Sequence, residues 1–233
     1  MSPPPRPLDE LWDVLNQPSK QLEQGDKALL QEALTHTSSG LNPHHEQLEF
    51  LGDAVLRLTA SEFIASAYPQ MAVGERSSLR AQLVSDRWLA ELGSTIDIEL
   101  WWQIGPKASG DPTAAATIRA ELSEALIGAV YRINGLTAVH QWLTPHWQRS
   151  AEAVLSDPHR GNYKSALQEW SQSGGLGLPA YTCEEISQRH CDPRRFRCRV
   201  TLPPQLKAEG WGRSRRDAEQ QAARAALDQL TGS

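Results

Sequence analysis

Hydrophobic residues recur at helical spacing along the first two thirds of the chain, from Leu8 to Leu155. Between Gln47 and Ala67 the apolar positions lie three, four and five residues apart and Pro69 follows, which predicts one helix that ends before this proline. The spacing predicts two more helices, from Glu75 to Leu92, closed by the glycine that follows, and from Thr113 to Ile133. Because no strand-like alternation interrupts this part, we expect an all-α domain.

The last third of the chain follows a different pattern. Turn-forming residues at 156–161 predict a linker. Beyond the linker the hydrophobic spacing changes from helical to alternating and then back to helical. It predicts a helix at Asn162–Ser173, strands at Ala180–Ser187, Phe196–Leu202 and Leu206–Gly212, and a final helix at Ser214–Leu230. Ser214 is expected to cap the last helix.

These elements predict two domains. We expect an all-α N-terminal domain at residues 8–155 and an α-β-β-β-α C-terminal domain at 162–231, with the linker between them. The Pro-rich residues 1–7 are expected to be disordered.

The charge of the chain is unevenly distributed, although the composition, with 39% hydrophobic and 22% charged residues, is that of an ordinary globular protein. Residues 1–153 carry 11 Lys and Arg against 19 Asp and Glu, a net charge of −8, whereas residues 154–233 carry 12 against 9, a net charge of +3. On charge alone, the second part is therefore the candidate for binding phosphates.

Membrane and disulfide chemistry are not expected. No apolar run reaches the roughly 18 to 20 residues that cross a bilayer, and the first residues lack the pattern of a secretory leader, so we expect a cytoplasmic protein without a membrane partner. Cys183, Cys191 and Cys198 show no metal-binding spacing, and we expect reduced thiols rather than a zinc site.

Acidic residues on two predicted helices are the candidate chemistry. Glu46, Glu49 and Asp53 fall within about 60° of one another on one helix face. Glu121 and Glu124 are three residues apart on another helix. Like charges at this spacing repel, and no Lys or Arg within residues 46–53 compensates them. The pattern favours a Mg²⁺ or Mn²⁺ site, and a solvated acidic face is the alternative.

The stretch from His45 to Leu56 resembles the signature of the ribonuclease III family. Further resemblances follow in chain order, at Ala33–Ser38, Gly74–Glu75, Leu79–Ala81 and Ala120–Gly128. The resemblance covers nearly the whole chain.

The resemblance implies an endonuclease that cuts double-stranded RNA with Mg²⁺, or Mn²⁺ as a substitute, and without an organic cofactor. Metal-activated water would leave 5′-phosphates and short 3′ overhangs, in the processing of ribosomal, messenger and other structured RNA. The positions that match metal ligands are Glu49, Asp53, Glu121 and Glu124, with Asp53 and Glu124 also catalytic; Glu46 and Glu75 match acids close to the RNA.

Three residues and one segment depart from the family's pattern. Glu121 stands where the family usually has Asp, His45 where it has Asn, and Gln47 where it has Arg. The segment 107–117 also has few of the basic residues expected before the second acidic helix. The longer Glu121 either loosens the site or is accommodated by a shift of its helix, and we expect accommodation.

Phe50 lies between two of the acids. The resemblance implies that this ring inserts into a partner subunit of a homodimer, and an internal core position is the alternative.

From Asn162 onward the sequence resembles a double-stranded-RNA-binding domain, over Tyr163–Trp170, Pro179–Tyr181, Phe196–Val200 and Gly210–Ala223. Such domains read the shape of A-form RNA through phosphates and 2′-hydroxyls. The resemblance implies RNA contacts by Lys164, Gln168, His190, Arg215 and Arg216. The alternative for the arginines is a solvated helix face.

Two other functions compete with the nuclease. The first is a silent RNA-binding protein that keeps the fold, and the second is a metal-dependent phosphohydrolase of small nucleotides. A silent relative should have lost acids, whereas here every position of the set is acidic. A small substrate would leave the C-terminal domain without a purpose.

Overall fold

The computed structural model describes residues 7–17, 21–106, 108, 112–157, 162–188, 192–203 and 206–231. The chain divides into two compact units between Glu152 and Ala153. The first is called the helical unit and the second the mixed unit.

The helical unit consists of helices in its described part, as the spacing predicted. Its elements are α1 (Leu8–Val14), α2 (Gln24–Ala33), α3 (Glu46–Ala67), α4 (Val73–Leu83), α5 (Asp86–Thr95) and α6 (Pro112–Ser156), with short 3-10 helices at Thr37–Ser39 and Ile98–Leu100. No described helix is both long and apolar enough to cross a bilayer.

The single helix predicted from Glu75 to Leu92 is wrong, because the chain breaks it into α4 and α5. Ser85 starts α5 as its N-cap, and its hydroxyl accepts a hydrogen bond from the Trp88 backbone N–H at 3.3 Å. Gly93 does not close this helix but lies inside it, where a Cβ would come within 2.8 Å of Ser123 Oγ. Hydrophobic spacing continues through the break because residues on both sides of it are buried.

The helix predicted from Thr113 to Ile133 ends where expected, because α6 consists of two helices that meet just after Asn134. The backbone breaks at Gly135, with φ 74° and ψ −173°, which favours glycine, and a helix resumes after it and includes Pro145. Trp142 and Trp147 are almost fully buried on either side of this proline. Their packing offsets the missing backbone donor of Pro145, which sequence spacing alone could not show.

Trp147 lies at the centre of the aromatic core. Its ring is stacked between Phe63 of α3, at a centroid distance of 5.6 Å, and Trp88 of α5, at 6.0 Å. Its Nε1 donates a hydrogen bond to the Leu83 carbonyl at 3.2 Å, so the buried indole is satisfied. Trp147 thus attaches the second half of α6 to three other helices, in agreement with a packing role.

Helices α3 and α6 approach so closely that backbone packs directly on backbone. A Cβ on Gly52 would lie 1.9 Å from the Glu124 carbonyl oxygen, and one on Gly128 would lie 2.2 Å from the Leu48 carbonyl oxygen. A residue with a side chain cannot occupy either position unless the helices separate.

The mixed unit has the predicted α-β-β-β-α order. It comprises α7 (Tyr163–Ser173), β1 (Ala180–Glu185), β2 (Phe196–Leu202), β3 (Leu206–Gly212) and α8 (Arg215–Thr231). The strands form an antiparallel sheet in the order β1-β2-β3. Ser214 caps α8 as expected, because its Oγ accepts a hydrogen bond from the Asp217 backbone N–H at 3.1 Å.

Strand β2 shows the predicted alternation of apolar and basic residues. Val200 and Leu202 are buried with Leu167 of α7 and with the alanines of α8. Arg197 and Arg199 point away from this core and pair with Glu184 and Glu209 of the neighbouring strands. The charge of these two arginines is therefore compensated within the sheet.

The expectation of three reduced thiols is wrong for two of the cysteines. Cys183 of β1 and Cys198 of β2 are directly opposite in the antiparallel register and form a disulfide. This pairing follows from the alignment of two strands, and linear spacing carries no information about it. Cys191 lies outside the described residues.

We predict that Gly128→Ala lowers the free energy of unfolding of the helical unit by about 1 to 3 kcal/mol, because the new Cβ overlaps the Leu48 carbonyl. Thermal unfolding followed by circular dichroism measures the change. Gly25→Ala is the matched control, since a Cβ on this glycine of α2 meets nothing within 4 Å. Equal stability of the two variants would contradict the close packing of α3 on α6.

Candidate functional site

The crossing of α3 and α6 brings the predicted metal-ligand acids together. Glu49 and Asp53 flank Gly52 on α3, and Glu121 and Glu124 are on the facing segment of α6. We call these four residues the acidic cluster. The four side chains are close enough to affect one another's ionisation. The charges of Asp53 and Glu49 raise the pKa of Glu124, and the charge of Glu121 raises the pKa of Glu49.

The acidic cluster is held at an energetic cost. Burial, and then the charges of Asp53 and Glu49, raise the pKa of Glu124 to about 7. Burial, and then the charges of Glu121 and Glu46, raise the pKa of Glu49. Carboxylates gathered in this way disfavour one another's ionised form, and a divalent cation would reverse that effect. The oxygen donors present suit Mg²⁺ or Mn²⁺.

Arg57 partly neutralises the cluster, which the sequence analysis missed. Its Nε donates a hydrogen bond to Asp53 Oδ1 at 2.6 Å, one helical turn along α3. The four-residue spacing of the pair is a signal that could have revealed it. Arg57 also acts to lower the pKa of Glu124, against the larger effects that raise it.

Two histidines, His36 and His45, complete the site. His36 Nε2 lies 3.1 Å from Glu121 Oε2. His45 Nε2 lies 3.3 Å from Glu49 Oε2 and 3.8 Å from Glu121 Oε2. The two rings are stacked with centroids 4.9 Å apart. Both histidines lie in stretches that resemble the family, at Ala33–Ser38 and His45–Leu56. Nothing in the sequence, however, indicated that their rings contact these carboxylates.

His45 is buried, and burial, followed by the nearby His36, lowers the pKa of its imidazole. The neutral form is therefore favoured.

Glu46 and Glu75, predicted to lie near RNA, are both exposed. Glu46 Oε2 lies 3.9 Å from His44 Nδ1. Glu75 accepts a hydrogen bond from the Ala72 backbone N–H at 3.2 Å and so caps the start of α4. The structure thus gives Glu75 a local role that the sequence analysis did not assign.

Phe50 is not a core residue of its own chain, so the alternative of an internal position is wrong. Its side chain is 85% exposed, although it directly follows Glu49 on α3. The ring therefore lies at the surface of the described chain and is accessible to another molecule.

The predicted RNA-binding residues of the mixed unit differ in their surroundings. Arg215 and Arg216 are exposed at the first turn of α8 and form no ion pair with any residue described by the structure. Gln168 is exposed on α7. Lys164 instead pairs with Glu219, and its ammonium lies 4.8 Å above the Tyr181 ring. His190 lies outside the described residues.

Comparisons with known proteins match both parts of the chain. A family model described as Ribonuclease-III-like matches residues 26–147, and one described as double-stranded RNA binding motif matches residues 163–230. A protein named Ribonuclease 3 from Prochlorococcus marinus is 54% identical over 204 residues, which are 87% of this chain and 82% of that protein. Another Ribonuclease 3, from Gloeobacter violaceus, is 43% identical over 208 residues, covering 87% of this chain and 83% of that protein.

The fold is similar to a solved structure as well. The nuclease domain of a ribonuclease III from Campylobacter jejuni superposes with a TM-score of 0.55 at 27% identity, covering 62% of this chain and 96% of that one.

We predict that Glu124→Gln stabilises the cation-free protein at about pH 8 but not at about pH 5. Because the folded chain raises the pKa of Glu124 from 4.5 to about 7, ionisation of Glu124 costs stability progressively as the pH rises through that interval. Glutamine carries no charge, so the gain in stability of Glu124→Gln over the wild type grows across this pH interval and is constant above it.

Thermal unfolding in the presence of a chelator measures this difference. Glu152→Gln is the control, since Glu152 is an exposed acid on the same helix. If both variants respond alike at the two pH values, the acidic cluster does not perturb Glu124.

Proposed function

The chain belongs to the ribonuclease III family, and we propose that it is an endoribonuclease that hydrolyses double-stranded RNA with a divalent cation held by four carboxylates. One observation carries the proposal. The glycine crossing of α3 and α6 gathers Glu49, Asp53, Glu121 and Glu124 into one cluster whose charges are incompletely neutralised.

The four carboxylates would hold Mg²⁺, or Mn²⁺ as a substitute, because hard cations take oxygen ligands. When bound, the cation would activate water and stabilise the negative charge that develops on the phosphate, as metal ions do in phosphodiester hydrolysis. Among the four, Asp53 and Glu124 are proposed as the catalytic pair. Arg57 fixes the Asp53 carboxylate, His36 contacts that of Glu121 and His45 that of Glu49, so three of the four carboxylates have defined partners.

The proposed products carry 5′-phosphates and short 3′ overhangs. We propose ribosomal and messenger precursors as substrates in the cytoplasm, on the basis of family membership. Glu46 and Glu75 are proposed to face the RNA, and both are exposed.

The mixed unit is proposed to bind the duplex through its last helix. Arg215 and Arg216 stand at the positive end of the α8 dipole, where phosphates are favoured, and no described acid neutralises them. Gln168 is available on α7, and His190 remains a proposed contact. Lys164 would have to exchange Glu219 for a phosphate, so we expect it to contribute less than the arginines.

Phe50 is proposed to join two copies of the chain into a homodimer. The ring is exposed and adjacent to Glu49, so an interface there would place two acidic clusters close to one duplex. The related domain from Campylobacter jejuni is described as having a region involved in dimer formation, which supports this arrangement.

We predict that Glu124→Gln abolishes cleavage of a labelled RNA duplex while it leaves duplex binding within about twofold of the wild type. The substitution keeps the size of the side chain and removes one ligand charge, whereas binding is assigned to the mixed unit. Gel analysis of cleavage with Mg²⁺ and filter binding without it measure the two properties. Cleavage at the wild-type rate would refute the site, and an inactive wild type with any divalent ion would favour a silent RNA-binding protein.

We predict that Arg215→Ala combined with Arg216→Ala weakens the binding of unrelated duplexes to a similar extent and makes the slope of log affinity against log salt shallower by up to about 2. The paired change Arg197→Ala with Arg199→Ala is the matched control, because it removes the same charge from arginines that glutamates already neutralise. Equal losses in the two double variants would show a general charge effect and contradict the proposed surface.

A further inference from the structure

His45 faces the acidic cluster and finds no hydrogen-bond partner for one of its ring nitrogens. Its side chain is only 3% exposed, and its Nδ1 has no partner of good hydrogen-bond geometry among the described residues, although the ring interacts with the Thr35 backbone. Its Nε2 points at two carboxylates, 3.3 Å from Glu49 Oε2 and 3.8 Å from Glu121 Oε2. A buried imidazole that faces two carboxylates needs a partner for its ring nitrogens, and a cation held by the same carboxylates would supply one.

The distances suit one shared cation. Ligand atoms that surround an ion at about 2.0 to 2.2 Å are themselves roughly 3 to 3.5 Å apart, close to the separations of His45 Nε2 from the two oxygens. Nitrogen and oxygen atoms of His36, His45 and Glu121 all lie within 4.8 Å of one another.

His36 has a different role from His45. The Ser38 backbone N–H donates to His36 Nδ1 at 3.1 Å, so that nitrogen accepts and carries no proton. The proton of the neutral ring is then on Nε2, which donates to Glu121 Oε2 at 3.1 Å. His36 therefore orients Glu121 and has no free electron pair to offer a metal, whereas no backbone N–H of the described residues donates to a ring nitrogen of His45 in this way.

We propose that His45 is an additional metal ligand, which with Glu49 and Glu121 forms a mixed nitrogen and oxygen position for a transition-metal dication. Imidazole favours ions such as Co²⁺ and Zn²⁺, whereas Mg²⁺ selects oxygen. The inference rests on the proposed function insofar as two of its ligands belong to the acidic cluster. It goes beyond that function because it gives this side of the cluster a preference for softer ions.

The same two residues are departures from the family's pattern. His45 stands in place of Asn and Glu121 in place of Asp, and the structure brings them into contact. The two changes together place a nitrogen ligand next to a longer carboxylate.

The test compares the full-length wild type with His45→Asn, using Co²⁺ and Mg²⁺ as separate probes. Isothermal titration calorimetry gives the affinity for each ion, and visible absorption of the Co²⁺ complex reports the ligand set. We expect His45→Asn to bind Co²⁺ at least about tenfold more weakly and to change the absorption bands, with Mg²⁺ affinity within about twofold of the wild type. His44→Asn is the matched control, since His44 contacts Glu46 instead of the cluster.

Unchanged Co²⁺ affinity and absorption in His45→Asn would overturn the inference, and so would an equal loss of both ions, which would mean that His45 only supports the structure. Glu49→Gln separates this inference from the proposed function, because it removes a carboxylate that both sites share. Weaker Mg²⁺ binding in Glu49→Gln together with no effect of His45→Asn would overturn the histidine ligand alone. No effect of Glu49→Gln on either ion would overturn the carboxylate site itself.

Discussion

The direct contact between the backbones of α3 and α6 is the constraint on which the functional site depends. Gly52 packs on the Glu124 carbonyl and Gly128 on the Leu48 carbonyl, so no side chain separates the two helices. The acids Glu49, Asp53 and Glu124 lie within about one turn of these glycines, and Glu121 is one turn further from Gly128 on α6, so the crossing brings all four together. A helix pair at an ordinary distance of about 8 to 10 Å would leave the carboxylates of each helix further apart.

This arrangement stores electrostatic repulsion in the folded chain. The raised pKa values of Glu124 and Glu49 show that the folded chain disfavours full ionisation. Arg57 offsets the repulsion at one end of the cluster and the two histidines contact it at the other. Stability must come from elsewhere, and the aromatic core around Trp147 holds the helices that present the acids.

The two units divide the charge of the chain between them. The helical unit is acidic, with a net charge of −8 in residues 1–153, and the mixed unit is basic, with a net charge of +3 in residues 154–233. Yet the count of basic residues overstates the proposed phosphate-binding surface. Arg197, Arg199 and Lys164 are neutralised by glutamates within the mixed unit, whereas Arg215 and Arg216 on α8 form no ion pair with any described residue.

Periodicity and capping in the sequence alone determined the two fold classes, the shared face of Glu49 and Asp53, the alternation of β2 and the Ser214 cap, because these depend on residues close along the chain. Tertiary structure alone decided the rest. The Cys183–Cys198 bond comes from strand register, and His36 meets Glu121 across 85 residues. Local spacing cannot encode such pairings, because they arise when packing brings distant segments into contact.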